Sequence, residues 1–82
     1  MKPVTYSKAS LKILRRMPAN TAKAICEKVA IYAATPEALV NNVKGLKGSE
    51  LIRLRVGDWR VVMNETQVII VVKIAPRGGA YD

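Results

Sequence analysis

The chain has 82 residues, 50% of them apolar, and a formal net charge of +8 from 14 Lys and Arg against 6 Asp and Glu, with no His. One Cys and no His exclude a zinc centre and an internal disulfide, and there is neither a run of about 18 apolar residues nor a signal-peptide pattern. These features lead us to expect one small domain over residues 1–82, cytoplasmic, with Cys26 as a core thiol in a reducing compartment, no cofactor, and a polyanionic partner or an acidic protein that masks the charge.

Residues 2–6, KPVTY, read as a short first strand with Pro3 near its start. Ser7 is placed to cap a helix over 8–17, in which Leu11, Leu14 and Met17 recur at helical spacing among Lys8, Lys12, Arg15 and Arg16. Pro18 ends it, because the residue before a proline is pushed out of helical angles. Asn20 or Thr21 then caps a second helix, with Ala22, Ile25, Cys26, Val29 and Ala33 as its apolar stripe ending near Ala34. Thr35-Pro36-Glu37 starts one more short helix over 36–40. Residues 41–49, NNVKGLKGS, are the least regular stretch, with Lys44 and Lys47 directed toward the hairpin that begins at Leu51.

Residues 51–56 and 59–64 alternate as two strands around Gly57-Asp58, a two-residue hairpin signal. The alternation places Ile52, Leu54, Val56, Trp59, Val61 and Met63 on one face, where core packing of Trp59 is favoured over base stacking. The other face carries Leu51, Arg53, Arg55, Arg60, Val62 and Asn64, with Arg55 directly opposite Arg60. Like charges so placed destabilise a sheet by tenths of a kcal/mol up to about 1 kcal/mol. A cluster of this kind on a rigid sheet suits a phosphate-like anion, the alternative being a solvated face with splayed arginines.

The run over 67–75, QVIIVVKIA, reads as a strand buried on both faces for much of its length. A tight turn before it pairs Arg60 with Val71. Gln67, Ile69, Val71, Lys73 and Ala75 then lie on the arginine face, while Val68, Ile70, Val72 and Ile74 face the helices. Arg77 comes next, close to the sheet, and Tyr81 is free to fold back over the same face. The order is that of an α+β domain (β-α-α-β-β-β), with two N-terminal amphipathic helices packed on one face of a small antiparallel sheet.

With these elements in place, the LKG loop (Leu46-Lys47-Gly48), the RLRVGDWRV segment from Arg53 to Val61, and the last apolar strand leading to Arg77 and Tyr81 resemble the RelE/ParE superfamily of bacterial toxins. The resemblance covers essentially the whole chain. It implies a microbial RNase-like fold and the toxin half of a type II toxin–antitoxin system, with a cognate antitoxin as partner. In the RelE branch it further implies ribosome-dependent endonuclease cleavage of mRNA, which blocks translation, and in the ParE branch inhibition of DNA gyrase. On the RelE pattern, Arg53, Arg60, Arg77 and Tyr81 are the catalytic residues, with Arg60 stabilising the transition-state phosphate. Lys44, Lys47, Arg55 and Lys73 complete the RNA-binding set.

Metal-independent RNA cleavage needs an acceptor for the 2′-hydroxyl proton, a stabiliser of the phosphorane-like transition state and a proton donor for the leaving oxygen. Arg53, Arg60 and Arg77 supply the stabilisation. Arginine does not serve as a base, so Lys73, Lys47, Lys44 or Tyr81 is left for proton transfer. Three functions remain open on the residues: an mRNA endoribonuclease, a gyrase inhibitor without nuclease activity, and a basic nucleic-acid-binding module.

Overall fold

Helix α1 (Lys8–Arg16) begins where the sequence asks it to: the Ser10 N–H donates to Ser7 Oγ at 3.1 Å, closing the first turn. Arg15 and Arg16 occupy its last turn, where positive charge complements the helix dipole. Met17 is extended at the boundary before Pro18. Helix α2 (Ala19–Ala34) starts directly after Pro18 rather than at Asn20 or Thr21, and Asn20 Oδ1 instead accepts from the Thr21 N–H. The computed structural model describes residues 1–76, so the expected site residues Arg77 and Tyr81 lie outside the described residues.

The helices cover one face of a sheet made of β1 (Val4–Tyr6), β2 (Val43–Gly45), β3 (Leu51–Val56), β4 (Trp59–Glu65) and β5 (Ile69–Pro76), in the order β1-β5-β4-β3-β2. A kinked 3-10 helix (Pro36–Asn42) leads from α2 to β2. The α+β architecture with helices on one face is as expected. The short strand β2 falls inside the stretch read as irregular, and it extends the meander by one strand beside β3. β1 runs parallel to β5, because the two helices of the crossover return the chain to the same end of the sheet.

Ile25 and Val29 of α2 pack with Leu54, Val61, Met63, Ile69 and Val71 of the sheet, all at 0% exposure. Each such side chain contributes about 1.5–3 kcal/mol of burial. On α1 the inward positions are Ile13, Leu14 and Met17, while Leu11, read as part of the stripe, is 37% exposed. Ser10 takes a place at the bottom of the helix because its hydroxyl has a partner there: it donates to the Val71 carbonyl at 3.1 Å.

The expected register of β5 is corrected by a bulge. Arg60 pairs with Ala75 rather than Val71, and the ladder slips between Val62 and Met63, leaving Val72 as the extra residue. Ahead of the bulge, Ile69 and Val71 face the helices and are fully buried, the reverse of the expected parity, while Ile70 is turned outward at 37% exposure. Beyond it, Ile74 is buried against the core, and Lys73 and Ala75 lie on the arginine face as expected. The bulge is held from the side by the cap of α1. The Ser7 N–H donates to the Val71 carbonyl at 2.9 Å, and Ser7 Oγ donates to the Val72 carbonyl at 3.0 Å.

Candidate nucleic-acid interface

The β3–β4 ladder has the register that the Gly57-Asp58 turn implies, from Val56–Trp59 back to Leu51–Asn64. Gly57 takes φ +57° at the first turn position, and no other residue of the turn has positive φ, as in a type II′ hairpin. That register fixes the face turned away from the helices. Lys44, Arg53, Val62 and Lys73 form one row across four strands, and Arg55, Arg60 and Ala75 form the next across three. Neighbouring strands are about 4.8 Å apart, so Arg53 and Lys73 stand about 10 Å from each other with Val62 between them. The span matches one or two backbone phosphates of a single strand.

Burial differs sharply within the two rows. Lys44, Arg55 and Lys73 are exposed, Arg53 is half-buried, and Arg60 is only 7% exposed next to the fully buried Val62. The Arg53 Nε–H is buried and finds no hydrogen-bond acceptor among the described residues. A guanidinium fixed by its surroundings has already lost its rotamer freedom, so it binds an anion without paying that entropy again. Among the described residues no Asp or Glu lies on this face: Glu50 and Asp58 are in turns, and Glu65 is bonded on the helix side. The local field is therefore positive.

The structure gathers Lys44, Arg53, Arg55, Arg60 and Lys73 on one face. Lys47 is separate, exposed in the turn between β2 and β3, at the end of β3 away from Arg55. Two further cations, read from the sequence as part of a solvated helix face, adjoin the site. Lys12 and Arg16 of α1 border a cleft together with Lys73, so the positive surface turns the edge of β5 and continues onto the helix. Their spacing on α1 gives no hint of this, because it depends on β1 ending at Tyr6 and leaving that edge to the helix.

The described tyrosines sit on the opposite side. Burial pushes the Tyr32 phenol up to about 12, reinforced by the hydrogen bond it donates to Glu65 Oε1 at 2.5 Å. Burial, with a contact to Cys26, raises Tyr6 further still. Neither is suited to proton transfer near neutral pH. Lys44 and Lys73 are the described lysines on the arginine face.

No family model matches the chain. It is 35% identical, over 83 aligned positions covering 95% of this chain and 92% of that protein, to RelE1 of Methanocaldococcus jannaschii, a protein named as a toxin. Its fold superposes on the archaeal RelE–RelB complex of Pyrococcus horikoshii with a TM-score of 0.80 at 29% identity, over 96% of this chain and 98% of that one. The intact RelBE toxin–antitoxin complex of E. coli shares the fold at 17% identity, with a TM-score of 0.72 over 98% of this chain and 100% of that one. With a relative of this identity matched along nearly its whole length, the chain belongs to the RelE family of toxins.

Proposed function

We propose that this protein is the toxin of a type II toxin–antitoxin pair and acts as a metal-independent endoribonuclease on mRNA held in the ribosome. The observation that carries the reading is the pair of cation rows on the face turned away from the helices, with the buried Arg60 opposite Arg55. RelE family membership supports it.

In the reaction, the 2′-hydroxyl gives its proton to a base and its oxygen bonds to the adjacent phosphorus. The bond from phosphorus to the 5′-oxygen then breaks, and that oxygen takes up a proton from solvent water as it leaves, the hydroxide so formed being neutralised by the protonated base. The products are a 2′,3′-cyclic phosphate and a 5′-hydroxyl. Arg60 and Arg53 neutralise the charge that builds on the non-bridging oxygens, and Arg55 and Lys44 hold the flanking phosphates. We assign proton transfer to Lys73 or Lys44 on this face or to Tyr81, and add Arg77 to the phosphate-binding cations. Much of the acceleration comes from the ribosome presenting the strand in a reactive geometry, so the protein is slow on free RNA.

The protein acts in the cytoplasm, where ribosomes carry mRNA. No helix among the described residues is long and apolar enough to cross a membrane. Its partner is an antitoxin, a reading supported by the RelE–RelB complexes that share its fold. The net charge of +8 suits an acidic segment of that antitoxin laid over the arginine face. Primer extension on mRNA, with and without ribosomes, tests the activity: cuts that require ribosomes are expected. Toxicity without cuts, together with loss of gyrase supercoiling, would replace it with gyrase inhibition.

A further inference from the structure

Trp59 is half-buried at the hairpin end of the sheet, and its packing against the core leaves part of the side chain lining a cleft. The cleft holds about 300 Å³ and is bounded by Ile13, Arg16, Met17, Pro18, Trp59 and Pro76. That volume lies at the lower limit of small-ligand sites, about 300–1,000 Å³, and suits a single flat ring better than a whole nucleotide. Its walls are apolar apart from Arg16, whose guanidinium can lie against a ring or bind a phosphate at the mouth.

Two features of position connect this cleft to the arginine face. Pro76 pairs with Trp59 and Ala75 with Arg60, so cleft and arginine row lie at the same level of the sheet on its two opposite faces, separated only by the edge of β5. Ile13 and Arg16 also border the neighbouring cleft shared by Lys12 and Lys73. A positively charged path therefore runs from the arginine face around the edge of β5 to the Trp59 cleft. A cationic track ending at an aromatic wall is the arrangement that binds single-stranded nucleic acid, with phosphates on the track and a base on the ring.

We propose that the Trp59 cleft is a nucleobase-binding subsite, which takes one unpaired base of the RNA strand whose backbone crosses the arginine face. The inference rests on RNA being the ligand of that face. It gives Arg16 a role in holding the strand, outside the reacting groups, and it makes cleavage sensitive to a base displaced from the scissile bond.

Trp59 is the single tryptophan of the chain and so reports on the cleft directly. Its emission is followed while the full chain is titrated with a short single-stranded oligoribonucleotide, and then with an abasic oligomer of the same length and charge. Anisotropy of end-labelled oligomers is recorded alongside. The base-bearing oligomer is expected to quench Trp59, the abasic one to leave it unchanged, and Arg16→Ala to raise the oligomer concentration needed for half-quenching about tenfold. Binding seen by anisotropy with unchanged Trp59 emission, or no response to RNA at all, would overturn the subsite. So would emission that responds to an antitoxin and not to RNA, which would assign the cleft to the protein partner. The two readings fail separately: quenching by RNA without any ribosome-dependent cleavage removes the nuclease and leaves the subsite, whereas cleavage without quenching does the reverse.

Discussion

Arg55 and Arg60 stand directly opposite each other across β3 and β4, one exposed to solvent and the other 7% exposed. Directly opposed residues have Cα atoms about 4.5–5.5 Å apart, so the pair holds two positive charges together in a way that folding alone disfavours. Replacing the exposed member should therefore stabilise the protein while impairing it. Arg55→Thr is expected to raise unfolding stability by tenths of a kcal/mol up to about 1 kcal/mol in urea denaturation. The same variant should bind RNA more weakly and show a shallower dependence of affinity on salt.

The hairpin that creates this pair depends on Gly57. A Cβ at that position would meet nothing within 4 Å, yet the backbone has φ +57°. The left-handed conformation costs an L-residue about 1–2 kcal/mol. Gly57→Ala is expected to lower stability by about that amount in denaturant titration, with no steric clash to blame.

Ser10 is buried on α1 with its hydroxyl on the Val71 carbonyl, and Ser7 holds the carbonyls of both Val71 and Val72. Together they fix the bulge that turns Lys73 to the arginine face. Ser10→Ala should destabilise the protein by about 0.5–1.5 kcal/mol. Ser7→Ala adds the loss of the helix cap, typically about 1 kcal/mol. Equilibrium unfolding of the two single variants checks both values.

These two regions show what the sequence could and could not reveal. The arginine face was legible because residues 51–64 alternate strictly and the Gly-Asp turn sets their register. The bulge was not, because in VIIVVKI both parities are apolar, so either phase buries a full set of side chains. Strand β2 is not legible because Val43–Gly45 is too short to show a period and ends in a glycine. Leu11 and Ile13 flank Leu14 on opposite sides of α1, so only one of them can share its buried side, and packing against the sheet selects Ile13. Proximity in sequence puts Lys44 near the hairpin, and its position opposite Arg53 comes from β2 pairing.

Away from the arginine face, Glu65 ties three elements together, accepting hydrogen bonds from Tyr32 of α2 and from Lys2 at 3.0 Å. The Tyr32 hydroxyl and then the Lys2 ammonium hold its carboxyl below the ordinary value of 4.5, outweighing partial burial. A carboxylate lowered on folding stabilises the native state above its unfolded pKa, and that contribution disappears as pH falls through the folded value. Stability is therefore expected to drop on acidification below about pH 4.5. In Glu65→Gln this part of the drop should be absent. Urea titrations at pH 7 and in mild acid, run on both proteins, measure the difference.

The most direct test of the nuclease reading is primer extension on ribosome-bound mRNA with the wild-type protein and with Arg60→Ala. Removing a preorganised charge from a transition state of this kind costs about 10²–10³ in rate. The cuts are expected to fall by at least that factor, while the variant keeps its cooperative unfolding. Cleavage by Arg60→Ala within a few-fold of the wild type would contradict the assignment of Arg60 as the stabiliser of the scissile phosphate, and with it the central claim.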